Sequence, residues 1–159
     1  MSLRLCFFPP LASLLLLSTT WAACGGDDDD DGDGTSESCQ QAVDHSDLEW
    51  IQANIFTPSC ALSAACHQGN ASSANGLNLE AGNSRDNLVG VAAEADDAAG
   101  LNRVEPGDPN NSYLLIITGG GPMGVNDPRI PDSTGPMPEN NELLCDEKLA
   151  AISRWIDSL

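Results

Sequence analysis

Basic residues are scarce in this chain: six Lys and Arg stand against 24 Asp and Glu, a formal net charge of −18 at pH 7. Such an imbalance repels phosphate backbones and argues against a nucleic-acid partner. Aromatics are also few, at 4%, and beyond residue 38 only Trp50, Phe56, Tyr113 and Trp155 are available to a core. A core this poor needs a staple, whether disulfide, metal or cofactor. Histidine occurs only twice, at His45 and His67. No Ser/His/Asp set or pair of catalytic carboxylates stands out, so nothing points to an enzyme. The apolar stretch Leu11 to Leu17 is too short to cross a bilayer as a mature helix.

That stretch has another use. Arg4, the apolar run and the small-residue site Trp21-Ala22-Ala23-Cys24 read as an export signal over residues 1–23. Cys24 then occupies the position of the lipidated cysteine of a bacterial lipoprotein. Asp27 to Asp31 and Gly32-Asp33-Gly34 follow. Their Asp-x-Asp-Gly pattern suggests a calcium loop but lacks the downstream Glu such a loop requires. Charges of one sign at this density repel and stay solvated, so residues 24–38 read as a flexible acidic tether. The expectation is an exported protein held to the cell envelope by its lipid alone, facing the periplasm or in the outer membrane. Residues 39–159 then form one domain.

Six cysteines are encoded. Cys6 leaves with the signal and Cys24 is the anchor, leaving Cys39, Cys60, Cys66 and Cys145 in an oxidising compartment. Two thiols with a His directly after the second is how a chain holds haem covalently, the imidazole serving as iron ligand. Cys60, Cys66 and His67 provide that set, but Ala61 to Ala65 put five residues between the cysteines where two are usual. Continuous helix over this span would separate the thiols by ~9 Å of rise and rotate them apart, so the spacer must bulge outward. If haem takes Cys60 and Cys66, Cys39 and Cys145 remain as a pair, closing a loop of about a hundred residues. The alternative is two plain disulfides, with Cys60–Cys66 closing a small loop and no cofactor.

Leu48, Ile51, Ile55 and Phe56 recur at helical spacing. Ser46 is placed to cap that helix with Glu49, and Thr57-Pro58 to end it near Phe56. Ser84 caps a short helix through Leu88-Val89, while Glu94 to Gly100 reads as a surface excursion. The segment Arg103 to Pro109 reads as a turn. Tyr113 to Ile117, capped by Asn110, Asn111 or Ser112, suits a short helix, although Ile116-Ile117 also suit a strand. Gly119 to Pro138 is a long Gly/Pro-rich loop carrying Met123 and Met137. A last helix opens at Cys145 or Asp146, with Leu149, Ile152, Trp155 and Ile156 on one face. The fold class is mainly α, with the first helix packed on the last. Trp155 reads as core and His45 as solvated. Arg103 reads as a surface ion pair, or as a partner for a haem propionate; Tyr113 packs in the core or donates to a propionate.

Taken in order, Ile55-Phe56-Thr57-Pro58-Ser59-Cys60, Cys66-His67-Gln68-Gly69, Gly76-Leu77-Asn78-Leu79, Val104-Glu105-Pro106-Gly107-Asp108-Pro109, Ser112-Tyr113-Leu114, Met137-Pro138 and Ile152-Ser153-Arg154-Trp155-Ile156 resemble small exported bacterial c-type cytochrome domains. The resemblance covers most of the chain from Ile55 onward, and the five-residue spacer departs from it. It implies a cytochrome c-like helical domain with haem c bonded to Cys60 and Cys66. His67 would be one axial ligand and Met137 the other, with Met123 as the competing methionine. The implied function is electron transfer to a redox partner with a basic face, without substrate chemistry. A haem-free, disulfide-stabilised surface lipoprotein on the same scaffold, with a binding or structural role, is the competing expectation. A redox enzyme such as a peroxidase would need an open iron position.

Overall fold

Helix α1, Glu37–Gln41, begins where the Ser36 hydroxyl accepts the Cys39 N–H at 3.3 Å, and it tightens into a 3₁₀ turn over Ala42–Asp44. This is the first regular structure in the computed structural model, which describes residues 36–69, 72–95, 98, 100–139 and 141–159. The export signal, Cys24 and all but the end of the acidic tether lie outside these residues. Residues 36–38, assigned above to the tether, are the cap and opening of α1.

Helix α2, Leu48–Ile51, is capped by Asp47, whose Oδ1 accepts the Trp50 N–H at 2.7 Å. Sequence placed this cap one residue earlier, at Ser46. Asp47 takes the role because its extended backbone aims a short carboxylate at the third helical N–H. The helix was also expected to stop before Pro58. Instead it widens into a π-helical segment, Gln52–Cys60, with Pro58 inside it, and Ala61 N–H donates to the Phe56 carbonyl five residues back at 2.8 Å. Proline lacks an N–H and crowds the carbonyl four residues earlier in an α-helix. The wider turn accommodates it. Cys60 therefore sits at the end of a helix, not in a loop.

The last helix, α5 (Asp146–Asp157), buries Ala151, Ile152, Trp155 and Ile156. They join Ile51, Ile55 and Phe56 in the main core, so the expected packing of first and last helices is observed. Two clasps hold the N-terminal turn to α5. Cys39 and Cys145 form a disulfide across 6.3 Å between Cα atoms. Towards the other end, Arg154 Nη2 donates to the carbonyls of Ala42 and His45, each at 2.8 Å.

The middle of the chain supplies the facing wall. Helix α3, Ser84–Leu88, starts after Asn83, so Ser84 is not its cap. Ser84 is buried instead, and its hydroxyl donates to Gln52 Oε1 at 2.6 Å. Gln52 Nε2 donates in turn to the Leu79 carbonyl at 2.9 Å, tying the π-helical segment to both. The stretch from Glu94 to Gly100 is not wholly a surface excursion: Ala98 is fully buried beside Tyr113, Ile116 and Ile130. Helix α4, Tyr113–Ile117, is helical despite its β-branched pair. The carbonyls of Asn102 and Arg103 accept its first N–H groups, from Tyr113 at 3.0 Å and Leu114 at 2.8 Å, which satisfies donors a helix start leaves open. Among the described residues the only strand-like pairings are isolated bridges such as Val89 with Val104, so the domain is mainly helical without a sheet. Among the described residues no helix is long and apolar enough to cross a membrane.

The long Gly/Pro-rich segment after α4 is tied down at three points. At Gly120 a Cβ would lie 2.7 Å from Leu115 Cδ1, so any larger residue would require Leu115 to shift for this approach to α4. Met137 N–H donates to the Ile117 carbonyl at 2.7 Å. Asp127 accepts from Arg129 through both side chains, at 2.8 and 2.6 Å. The Arg129 guanidinium covers this carboxylate near the surface and holds its pKa below the usual carboxylate range. A depressed carboxylate pKa contributes stability above the unfolded value and loses it as pH falls through the folded one. Asp127→Asn is therefore expected to cost at most about 1 kcal/mol at pH 7. In chemical denaturation across pH, its deficit against the native chain should begin to narrow as the pH drops below about 4 and close only below the depressed pKa of the folded state.

Candidate functional site

From Cys60 the chain leaves the π-helical segment, runs out through Leu62, Ser63, Ala64 and Ala65, and comes back. Leu62 is 55% exposed at the outer part of this arch. Two hydrogen bonds close it: Cys66 N–H to the Ser63 carbonyl at 3.0 Å, and His67 N–H to the Cys60 carbonyl at 3.1 Å. The spacer thus bulges as its length required, and small side chains leave room for the turn. His67 is fixed from the far side by the Leu79 N–H, which donates to the His67 carbonyl at 2.8 Å.

Cys60, Cys66 and His67 share the wall of one cleft of ≈ 930 Å³. This lies at the upper part of the range for cofactor and ligand pockets, roughly 300–1,000 Å³. Leu77, Leu88 and Leu114 contribute apolar wall, Tyr113 and Arg103 polar groups, and Met137 joins from the late loop, more than seventy positions along the chain. Met123 is not part of this wall and is 57% exposed. Cys39 and Cys145 are bonded to each other elsewhere, and Cys60 and Cys66 are free, half-buried thiols.

Burial, with Cys66 adding to it, pushes the Cys60 thiol up to about 12, so it keeps its proton at neutral pH. Burial also lowers the His67 pKa; Arg103 adds to this, while the Leu77 carbonyl works in the opposite direction. Nδ1 of the ring is buried with no hydrogen-bond partner. The imidazole is therefore neutral at pH 7, the form that ligates a metal. The two thiols and the ring do not converge on a point: among the described residues, they form no group of three ligand atoms within 4.8 Å. A protonated thiol and a dispersed donor set suit a broad ligand spanning the cleft better than a single thiolate-bound ion.

No family model, curated protein or solved structure matches this chain. Its chemistry is therefore read from its own residues.

Arg103 was expected at a surface ion pair. It is 8% exposed and pairs with no carboxylate among the described residues. The cause is two backbone carbonyls distant in sequence: its Nη1 donates to the Asn87 carbonyl at 3.0 Å and its Nη2 to the Asn75 carbonyl at 2.8 Å, drawing the guanidinium into the cleft wall. Tyr113 is buried, donates to the Arg129 carbonyl at 3.4 Å, and also lines the cleft. His45 lies outside the cleft, stacked on Trp50 with centroids 4.4 Å apart and 3.2 Å from Asp47, so it is more engaged than its polar neighbours suggested. The burial of Arg103 had no visible signal in sequence, since the carbonyls that draw it in come from residues 75 and 87.

Proposed function

We propose that this chain is an envelope-tethered electron-transfer protein carrying haem c, bonded through Cys60 and Cys66, with His67 and Met137 as axial ligands. The observation that supports this most is the closed arch. By joining His67 N–H to the Cys60 carbonyl at 3.1 Å, it gives a stretched motif a local geometry in which both thiols and the imidazole line a single large cleft. The residues fit the group on chemical grounds as well. Cys60 and Cys66, both free thiols, would hold the group through thioethers, and Cys60, protonated at neutral pH, would bring the hydrogen that such a bond requires. His67 lines the cleft, and burial lowers its pKa, which favours the neutral ring a metal needs.

When bound, haem supplies an iron that alternates between two oxidation states. The chain does the rest. His67, through its neutral ring, and Met137, whose backbone is fixed by its bond to the Ile117 carbonyl, would hold the iron. Leu77, Leu88 and Leu114 would give the group an apolar setting, and burial together with thioether ligation raises a reduction potential. No acid–base machinery is required, so the protein is an electron carrier rather than an enzyme. Its acidic surface favours a redox partner with a basic face, with an encounter rate that falls as salt rises. Cys24 would carry the lipid anchor.

The test is expression of the full chain in an exporting host with a competent haem-attachment system. The expected product keeps a haem stain on a denaturing gel, gains the mass of one porphyrin and gives a haemochrome spectrum. Colourless protein with Cys60 bonded to Cys66 would instead establish the haem-free lipoprotein.

A further inference from the structure

We infer that Arg103 is the anchor for a carboxylate carried by the ligand that fills the cleft. Among the described residues Arg103 is the only buried cation. Burying a charge without a counter-ion is strongly unfavourable, and this chain has no shortage of carboxylates, with 24 Asp and Glu. Glu94 and Glu139 line the same cleft, yet neither is within ion-pair distance of the guanidinium.

The guanidinium is oriented as well as buried. The Asn87 and Asn75 carbonyls accept from Nη1 and Nη2, which uses two of the five N–H donors an arginine offers. Three donors remain on the guanidinium, whose planar geometry suits hydrogen bonds to a carboxylate. Held from two sides by backbone, this group needs little rearrangement to receive its anion. With apolar wall from Leu77, Leu88 and Leu114 in the same cleft, the ligand class is a bulky apolar body bearing a carboxylate. The inference rests on the proposed function only for the carboxylate's identity. On that reading it is a propionate of the porphyrin; without it, the acid group of another apolar ligand.

The test uses the full mature chain made without haem attachment, its thiols kept reduced, and two pairs of fluorescent probes. One pair is protoporphyrin IX and its dimethyl ester; the other is pyrenebutyrate and its methyl ester. In each pair that binds, the native chain should prefer the acid by about tenfold or more, the worth of a charge-assisted hydrogen bond. Arg103→Gln should abolish the preference and Arg103→Lys should retain part of it, a pattern that loss of packing alone would not give. Circular dichroism shows whether each variant is folded. If Arg103→Gln is not, the native acid-to-ester ratio and the lysine variant decide. Pyrenebutyrate selected through Arg103 while neither porphyrin binds would remove the haem reading and keep the carboxylate anchor. Equal binding of acid and ester, a preference that survives Arg103→Gln, or no binding by any probe would overturn the inference.

Discussion

Replacing Cys39 and Cys145 together with serine is expected to destabilise the domain by up to about 4.7 kcal/mol, the chain-entropy value for a closed loop of roughly a hundred residues. The bridge spans 106 positions, so it ties almost the whole domain into one ring and restricts the unfolded chain accordingly. Few domains of this size have more than 5–15 kcal/mol of stability to lose, and this one has few large side chains to compensate. The Arg154 clasp on Ala42 and His45 survives the substitution, so α1 should stay near α5 in the folded state. The loss should therefore appear in the denaturation midpoint and little in the native circular dichroism spectrum. A deficit below about 1 kcal/mol in urea titration would mean that the unfolded chain gains little freedom when the bridge is cut.

Much of the helical frame was legible because burial writes a period into sequence. Leu149, Ile152, Trp155 and Ile156 fall on one face of α5, and Ile51, Ile55 and Phe56 meet them. Where one residue's local preference decided an expectation, neighbours overruled it. Pro58 should have ended a helix, yet a π-type turn absorbs it. Ser84 should have been a cap, but Gln52, 32 positions away, accepts its hydroxyl. Helix α1 escaped notice because it is five residues long and carries no period that so short a stretch can display. The cluster Cys60, Cys66 and His67 was visible from types and order alone. That it opens onto a cleft with Met137 and a buried Arg103 depends on contacts between distant segments, which no local pattern encodes.

The two loop methionines are where sequence left a choice and geometry gives each a different environment. Met137 lines the cleft, while Met123 is 57% exposed and does not. In the haem-loaded protein, Met137→Leu is accordingly expected to abolish the methionine–iron charge-transfer band and to lower the reduction potential substantially. Axial ligands are the strongest lever on that potential, spanning about 0.8 V across haem proteins. Met123→Leu should change neither quantity. Leucine keeps the volume and apolar character of methionine, so a spectral change at position 137 reports the lost sulfur and not a collapsed wall. A band that persists in Met137→Leu and disappears in Met123→Leu would require the late loop to rearrange when the cleft is filled. A band lost in neither variant would mean that the two methionines replace one another, whereas its absence from the native haem-loaded protein would take the thioether away from the iron and leave His67 as the ligand.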